Sequence, residues 1–210
     1  MPLRPQGTIK SMLSAFVPLW HQSLLRIKLP YYNFFIYLHY MTIGLLSDTH
    51  GYLDKKIFDH FAGCDEIWHA GDIGSTELAD KLEKFKPVKA VYGNIDDRAL
   101  QLRFPEDLRF TCEKLRVWIT HIGGTPPHYN KRVKQMLATD APDIFICGHS
   151  HILQIKKDPA YGDMLFINPG AAGNQGFHYQ KTLIRFVIKG KEIKNLEVIE
   201  LGRRGLPETT

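Results

Sequence analysis

Residues 42–50 read TIGLLSDTH, an apolar run that passes directly into a polar turn. A short apolar segment bounded by turn residues is typical of a buried β-strand. The same pattern predicts further strands, over residues 66–69, 88–92, 115–120 and 143–147. Helical spacing of apolar residues predicts helices between them, over residues 53–61, 75–84 and 131–138. This alternation indicates an α/β fold with a parallel or mixed sheet.

The last third of the chain has a different pattern. Four segments lack helical spacing and predict consecutive strands, over residues 153–156, 164–167, 182–189 and 193–200. The third of these is rich in β-branched and apolar residues, as strands commonly are. Because strands that follow one another without helices commonly pair antiparallel, the closing strands predict a second, more antiparallel sheet.

Polar clusters come directly after the predicted strands. In chain order they are Asp48-Thr49-His50, Gly71-Asp72, Gly93-Asn94-Ile95-Asp96, His121, Gly148-His149-Ser150-His151 and Asn168-Pro169-Gly170. In open α/β sheets, ligands bind outside the carboxyl ends of the strands. We therefore expect these strand ends to converge on one site.

Members of these clusters have side chains that bind metal ions. They are Asp48, His50, Asp72, Asn94, His121, His149 and His151. A single histidine or aspartate at a strand end is more often structural, but this many at successive strand ends indicate a shared site. Imidazole with carboxylate suits zinc, manganese, iron or nickel, and the set exceeds the four ligands of one tetrahedral zinc ion. The sequence therefore predicts two metal ions that share a bridging carboxylate.

The order of the motifs D-x-H, G-D, G-N-x-D, H and G-H-x-H resembles that of the calcineurin-like metallophosphoesterases. The resemblance covers residues 41–203. The small size and the Asn168-Pro169-Gly170 element are most similar to the compact YfcE-like phosphodiesterase branch. The resemblance implies a four-layer α/β/β/α sandwich, in which two mixed β-sheets are flanked by helices, and it implies metallophosphoesterase activity.

The resemblance also implies a role for each motif residue. One metal ion would be held by Asp48, His50 and His151, and the other by Asn94, His121 and His149. Asp72 would bridge both ions, together with a hydroxide that attacks the phosphorus. The catalytic residues would be Asp72, Asn94 and His121, and the substrate-binding residues Asn94, Asn168 and Gly170. We expect Mn²⁺ at both positions, with Ni²⁺, Zn²⁺, Fe²⁺ or Mg²⁺ as alternatives.

One position departs from the wider family. Many members have a histidine where this chain has Ile95, and that histidine is thought to protonate the leaving group or to contact phosphate. Isoleucine does neither, which predicts a preference for leaving groups that need little protonation. Alternatively, another histidine donates the proton, and His128 and His178 are the candidates. Asp96 is expected to orient a neighbouring ligand histidine through a hydrogen bond.

The net charge of +5 is unevenly distributed along the 210 residues. Residues 1–40 hold four basic residues and no acidic ones, whereas residues 41–210 hold 23 basic and 22 acidic residues. We interpret residues 1–40 as an extension that is disordered or precedes the natural start at Met41, with a membrane or targeting role, or an unknown structured extension, as the alternatives. Residues 204–210 are predicted to be a tail. The near-neutral body predicts neither extended nucleic-acid binding nor membrane association for residues 41–210.

Two classes of function follow from these observations. The leading prediction is a metal-dependent phosphodiesterase that acts on a small phosphodiester, and a phosphomonoesterase or nucleotide pyrophosphatase on the same centre is the alternative. The rival class is a non-catalytic scaffold that resembles the retromer subunit of this branch, and the intact ligand set favours the enzyme. Three cysteines without a CxxC pair indicate a reducing compartment, here the cytoplasm. The resemblance implies a homodimer or homotetramer.

Overall fold

The computed structural model of the protein describes residues 23–29, 32–38, 40–177 and 179–205. They fall into two units, and the first contains an antiparallel hairpin of strands β1 (Ser23–Leu29) and β2 (Tyr32–Leu38). The predictions for residues 1–40 and 204–210 concern stretches that lie partly outside the described residues, and they stay predictions. None of the helices in the described ranges is long and apolar enough to span a lipid bilayer.

The second unit alternates strands and helices and then continues with strands. Its strands are β3 (Met41–Leu46), β4 (Glu66–His69), β5 (Val88–Ala90), β6 (Asp107–Cys112), β7 (Leu115–Thr120), β8 (Gly124–Thr125), β9 (His128–Tyr129), β10 (Ile144–Ile146), β11 (Leu153–Asp158), β12 (Met164–Pro169), β13 (Gln180–Lys189) and β14 (Glu192–Arg203). Its helices are α1 (Lys56–Phe61), α2 (Thr76–Phe85), α3 (Arg98–Arg103) and α4 (Lys131–Thr139). The predicted strands and helices are all present, with ends shifted by a few residues.

These strands form two five-stranded sheets, which we call the first and the second sheet. The first sheet has the order β14-β13-β3-β4-β5 and the second has the order β11-β12-β10-β7-β6. Strands β3, β4 and β5 run parallel, as do β12, β10 and β7, and the outer strands are antiparallel. Both sheets are therefore mixed, as predicted.

The closing strands do not form a sheet of their own, and that prediction is wrong. Strands β11 and β12 extend the second sheet, and β13 and β14 extend the first. The physical reason is that β12 and β13 each have backbone N–H and C=O groups along two edges, and in the folded protein a strand on either side pairs them. Whether a segment forms a strand depends on local sequence, whereas the strand that it pairs with depends on the packing of the whole core.

Alternation along the strands divides the core into three layers. Ile43 and Leu45 of β3 lie in the core between the two sheets, whereas Leu46 packs under helices α1 and α2. In β10, Ile144 also lies between the sheets, and Phe145 packs against α4. Because successive side chains of a strand point to opposite faces, each sheet has one face on its partner and one on a helix. The predicted four-layer α/β/β/α sandwich is confirmed.

Several elements were not predicted from the sequence, namely β1, β2, α3, β6, β8 and β9. Helix α3 buries only Leu100, so it has no apolar stripe, although the Asp97 side chain caps it by accepting from the Leu100 N–H at 3.0 Å. Strand β6 is an edge strand with a largely half-exposed pattern. In contrast, the predicted cap at Ser75 is present, since its hydroxyl accepts from the Leu78 N–H at 3.2 Å.

Candidate metal centre

Three of the predicted ligand residues form one group at the end of the sandwich. Nε2 of His151 lies 3.1 Å from Oδ1 of Asp48 and 3.3 Å from Nε2 of His50. Asp48 and His50 follow β3 of the first sheet, and His151 follows β10 of the second sheet. The donor atoms of the three side chains lie within 4.8 Å of one another. We call Asp48, His50 and His151 the first ligand group.

A second group lies beside it. Its members are Asp72, His121 and His149, whose donor atoms are also within 4.8 Å of one another. Oδ1 of Asn94 lies 3.1 Å from Nε2 of His121, which brings the predicted amide ligand to the same place. Asn94 and His149 are exposed, so this group, unlike the first, opens to solvent. We call these four residues the second ligand group.

Asp72 has one carboxylate oxygen directed at each group. Oδ1 lies 3.2 Å from Nε2 of His121, and Oδ2 lies 3.7 Å from Nε2 of His50. A carboxylate in this position would be able to bridge two ions, one on each side of it. The structure therefore brings all seven predicted ligand residues together, with Asp72 between the two sets.

The donor atoms of the first ligand group fit a bound cation. Oδ1 of Asp48 is buried and accepts no hydrogen bond in the described part of the chain, although Nε2 of His151 is near. The separation of 3.3 Å between the two imidazole nitrogens matches two ligands on one ion, which at about 2.0–2.1 Å each and a tetrahedral angle are roughly 3.3 Å apart. A divalent cation would satisfy the buried oxygen and both nitrogens at once.

Backbone conformation provides a further sign of function. Five of the seven ligand residues have left-handed backbone with φ between 48° and 66°, namely Asp48, His50, Asp72, His149 and His151. Such conformations cost side-chain-bearing residues roughly 1–3 kcal/mol each and cluster at functional sites. The tight turns make both members of each i, i+2 pair face the same cavity, as the sequence predicted.

The charges of the site favour metal binding near neutral pH. Burial lowers the pKa of His50, and partial burial beside His121 lowers that of His149, so both imidazoles are neutral and ready to act as ligands. Burial alone would raise the pKa of Asp72, but the hydrogen bond and charge of His121, the Ile95 N–H and the charge of His50 together outweigh it, and the pKa is lowered. Burial alone would lower the pKa of His121, but the hydrogen bond to Asp72, the charges of Asp48 and Asp72 and the bond to the Ala70 carbonyl together outweigh it, and the pKa is raised.

The ligand side chains are held by hydrogen bonds to backbone. Nδ1 of His121 lies 2.8 Å from the Ala70 carbonyl oxygen. Because a carbonyl only accepts, Nδ1 carries a proton and donates it, which turns Nε2 toward Asp72 and Asn94. This carbonyl is the orienting partner that the sequence assigned to Asp96.

The prediction that Asp96 orients a histidine is wrong. Its Oδ2 accepts from the N–H groups of Gly93 at 2.7 Å and Ile73 at 3.1 Å, and its Oδ1 accepts from that of Gly74 at 2.7 Å. The buried carboxylate thus clamps the loop that carries Asp72 onto the loop that carries Asn94. The backbone N–H groups of these two tight loops would otherwise lack a hydrogen-bond partner, and they use both oxygens of Asp96 in place of a histidine.

Asn168 and Gly170 lie behind the G-H-x-H loop. The Asn168 amide nitrogen donates to the Gly148 carbonyl at 2.9 Å and to the Ser150 hydroxyl at 3.0 Å, and its oxygen accepts from the Gly170 N–H at 3.0 Å. Both residues are buried. In place of the predicted substrate contact, these bonds indicate a positioning role for the loop that bears His149 and His151.

Of the two candidate proton donors, the one that the structure describes is not part of either ligand group. His128 lies exposed on the short strand β9, and His178 lies outside the described residues. Ile95 contributes through its backbone, because its N–H donates to Oδ1 of Asp72 at 3.1 Å. Its side chain is 46 % exposed, which places an apolar group where the wider family has an imidazole.

Sequence reasoning missed a buried histidine next to the ligands. Nδ1 of His69 accepts from the Gly71 N–H at 3.2 Å, and Nε2 lies 2.9 Å from the Thr49 hydroxyl. Complete burial lowers its pKa to about 4, so it is neutral. The signal was present as a histidine at a strand end, two residues before Gly71.

Comparisons with known proteins agree with this geometry. Residues 41–191 match the family model of the calcineurin-like phosphoesterase superfamily domain. A probable metallophosphoesterase of Methanothermobacter thermautotrophicus is 32% identical over 136 residues, which are 62% of this chain and 77% of that protein.

Solved structures share the fold at low identity. A structure of an archaeal phosphodiesterase has a TM-score of 0.62 and 23% identity, and it covers 77% of this chain and 100% of that one. Wild-type Vps29 from Entamoeba histolytica, complexed with Zn²⁺, has a TM-score of 0.61 and 17% identity, and it covers 77% of this chain and 99% of that one. With the family model matching most of its length, the chain belongs to the calcineurin-like phosphoesterase superfamily.

Proposed function

We propose that this metallophosphoesterase hydrolyses a small phosphodiester with two divalent metal ions. The observation that carries the proposal is the position of Asp72, whose oxygens face His121 on one side and His50 on the other. A scaffold has no need to keep a buried carboxylate between two groups of imidazoles. The archaeal phosphodiesterase with the same fold supports the choice of substrate class.

Each ligand group has its own task in this reaction. The first ligand group with Asp72 would hold one ion, and the second ligand group with the same Asp72 the other. When two divalent ions are bound, they activate a water molecule and offset charge on the phosphate oxygens. Mn²⁺ is our first choice, because imidazoles, carboxylates and an amide oxygen form a mixed N/O donor set without thiolate.

The side chains around the centre favour a diester over a monoester. Ile95, Ile122 and Ile152 each directly follow a ligand residue, and their side chains are between 41 % and 54 % exposed. We call them the isoleucine rim. An apolar rim suits a substrate with a second organic group on phosphorus. It also offers no proton donor, which favours leaving groups that need little protonation.

The test uses the full chain, stripped of metal and reloaded with Mn²⁺, Ni²⁺, Zn²⁺ or Mg²⁺. The substrates are bis(p-nitrophenyl) phosphate and p-nitrophenyl phosphate, and the bound metal is counted by titration calorimetry. We expect two Mn²⁺ per chain and faster hydrolysis of the diester. Asp72→Asn should lower kcat/KM at least about 100-fold, whereas the matched control Asp59→Asn, on exposed positions of α1, should not.

The outcomes separate the alternatives. Faster hydrolysis of the monoester would make the protein a phosphomonoesterase on the same centre. Metal binding without turnover of any substrate would indicate a scaffold, the class to which the retromer subunit belongs.

The remaining expectations are part of the same proposal. We propose a cytoplasmic protein, which the three free and buried cysteines Cys64, Cys112 and Cys147 support. We also propose a homodimer or homotetramer, without extended nucleic-acid binding. Light scattering on the purified full chain tests the oligomeric state, and a monomer at all concentrations would contradict it.

A further inference from the structure

Arg204 has an unusual side chain environment just after strand β14. Its Nη1 donates to the Gln175 carbonyl oxygen at 2.5 Å. Its Nε and Nη2 are buried and have no hydrogen-bond partner among the described residues. Buried guanidinium N–H groups without an acceptor are costly, because the charge has lost water without gaining an anion. Such a group in a folded protein requires an explanation.

The guanidinium lies beside the first ligand group. A Cβ on Gly176 would lie 2.1 Å from Nδ1 of His151 and 2.5 Å from Nη1 of Arg204, so the two side chains meet at this glycine. Gly176 has a φ of +114°, which side chains rarely adopt, and the lack of a side chain keeps the space open. Burial lowers the pKa of Arg204, and the negative charge of Asp48 acts against that effect.

The two unpaired nitrogens define what the guanidinium could bind. Nε and Nη2 form one edge of the planar group, and their hydrogens point in parallel. This fork matches two oxygens of a phosphate or carboxylate, and it is the reason why arginine recognises such anions better than lysine. Asp48 is the carboxylate whose negative charge acts on Arg204, and it is already a candidate metal ligand. The fork therefore has no acceptor among the described residues.

We propose that Arg204 binds the non-bridging oxygens of the substrate phosphate through Nε and Nη2. This inference rests on the proposed function, since it presumes a phosphoester at the metal centre. In the wider family an imidazole is thought to contact the phosphate, and this chain has Ile95 at that position. Arg204, which is far from Ile95 in the sequence, would supply the phosphate contact instead. Because a guanidinium does not lose its proton, Arg204 binds and neutralises charge and does not act as the general acid.

The described residues next to Arg204 lie at the surface. Residues 174–177 and Tyr179 are exposed, and the Phe177 side chain is 100 % exposed. Two of them bond to Arg204, the Gln175 carbonyl, which accepts from Nη1, and the Tyr179 carbonyl, which accepts from the Arg204 N–H at 2.8 Å. Arg204 itself is half-buried, so its guanidinium lies close to the surface of the protein.

The experiment compares the full chain with Arg204→Gln, Arg204→Lys and the matched control Arg203→Gln, whose side chain is exposed on β14. All four proteins are loaded with Mn²⁺. Calorimetry measures the Kd of inorganic phosphate and the Mn²⁺ stoichiometry, and kinetics measure kcat/KM for bis(p-nitrophenyl) phosphate. We expect Arg204→Gln to weaken phosphate binding and to lower kcat/KM by about 10- to 100-fold. Arg204→Lys should recover part of this loss, and Arg203→Gln should behave as the wild type.

Three outcomes would overturn the inference. The first is wild-type phosphate binding and kcat/KM in Arg204→Gln. The second is a loss of Mn²⁺ in this variant, which would assign Arg204 to the support of His151. The third is full activity in Arg204→Lys, since lysine keeps the charge and lacks the fork. This outcome would overturn the inference even if Arg204→Gln did not fold. A wild type that holds Mn²⁺ but neither binds phosphate nor hydrolyses the diester would contradict the proposed function instead.

Discussion

Nε2 of His69 lies 2.9 Å from the hydroxyl of Thr49, and both side chains are fully buried. Since Nδ1 of His69 accepts from the Gly71 N–H, Nε2 carries the proton and donates it to Thr49. The Thr49 hydroxyl then donates to the Ile73 carbonyl at 3.0 Å. This chain of hydrogen bonds joins the loop of Asp48 and His50 to the loop of Asp72.

His69 gives the first prediction, which concerns pH. Its pKa is about 4 in the folded protein, below the ordinary 6.5, so the unfolded chain binds a proton that the folded chain does not. The contribution of neutral His69 to the unfolding free energy is therefore complete above pH 6.5 and is lost as the pH falls toward 4. Between these values, the unfolding free energy of the wild type should fall by about 3 kcal/mol more than that of His69→Gln.

Urea denaturation of the metal-free proteins at several pH values measures this difference. His128→Gln is the control, because His128 is exposed. Parallel pH profiles for the wild type and His69→Gln would show that His69 does not titrate in this range.

The second prediction concerns the buried ion pair of Lys181 and Asp54. Nζ of Lys181 donates to Oδ2 of Asp54 at 2.6 Å, and this bond attaches β13 to the segment that follows the first ligand loop. Lys181→Met leaves the buried carboxylate without its charged partner, although the Lys56 N–H still donates to Oδ1 at 3.1 Å, and we expect a loss of about 3–5 kcal/mol in unfolding free energy. Chemical denaturation measures it, and Lys194→Met, which breaks an exposed pair, should leave the midpoint unchanged.

The same pair has a defined pH dependence. Burial would raise the pKa of Asp54, but the hydrogen bonds from Lys181 and from the Lys56 N–H, together with the charges of these two lysines, outweigh it, and the pKa is lowered. The contribution is therefore present above the ordinary value of 3.8 and is lost as the pH falls below it. A Lys181→Met variant as stable as the wild type at neutral pH would contradict the assignment.

The third prediction concerns close approach at Gly93. A Cβ at this position would lie 2.1 Å from Oδ1 and 2.3 Å from the backbone nitrogen of Asp72, so Gly93→Ala must displace Asp72. We expect a folded protein that has lost at least one Mn²⁺ and about 100-fold in kcat/KM. The control is Gly63→Ala, where a Cβ would meet nothing within 4 Å. Unchanged Mn²⁺ stoichiometry in Gly93→Ala would show that the loop yields without moving Asp72.

The fourth prediction tests the missing proton donor. Because the Ile95 side chain is half-exposed, Ile95→His should be tolerated and should place an imidazole beside the second ligand group. We expect hydrolysis of phenyl esters to increase about tenfold, with little change for p-nitrophenyl esters, whose leaving group needs no proton. The ratio of the two rates is the measurement. An equal effect on both esters would indicate a change in binding instead.

Much of the fold and of the ligand set follows from local pattern. The strand ends at Leu46, His69 and Thr120 and the ligands that follow them depend on short-range alternation and turn chemistry. The choice of neighbouring strand does not follow from local pattern. The sequence therefore predicts one sheet for β11 to β14, whereas the structure divides them between two. Likewise, Asp96 and Asn168 satisfy backbone groups of distant loops, and such needs are visible only once the loops are folded.

Arg204 shows the same limit at the site itself. In the sequence it is one of two adjacent arginines near the chain end and has no motif. Only the pairing of β13 with β14 carries it back to His151. The left-handed backbone of five ligand residues is equally invisible, because aspartate and histidine seldom adopt it without a reason in the tertiary structure.

Each ligand group takes residues from both sheets. Asp48, His50 and Asp72 follow strands of the first sheet, and His121, His149 and His151 follow strands of the second. Bound cations would therefore act as cross-links between the two halves of the sandwich, at one edge only. Removal of the metal should let that edge open ahead of the rest, so its amide hydrogens would be the first to exchange with deuterium.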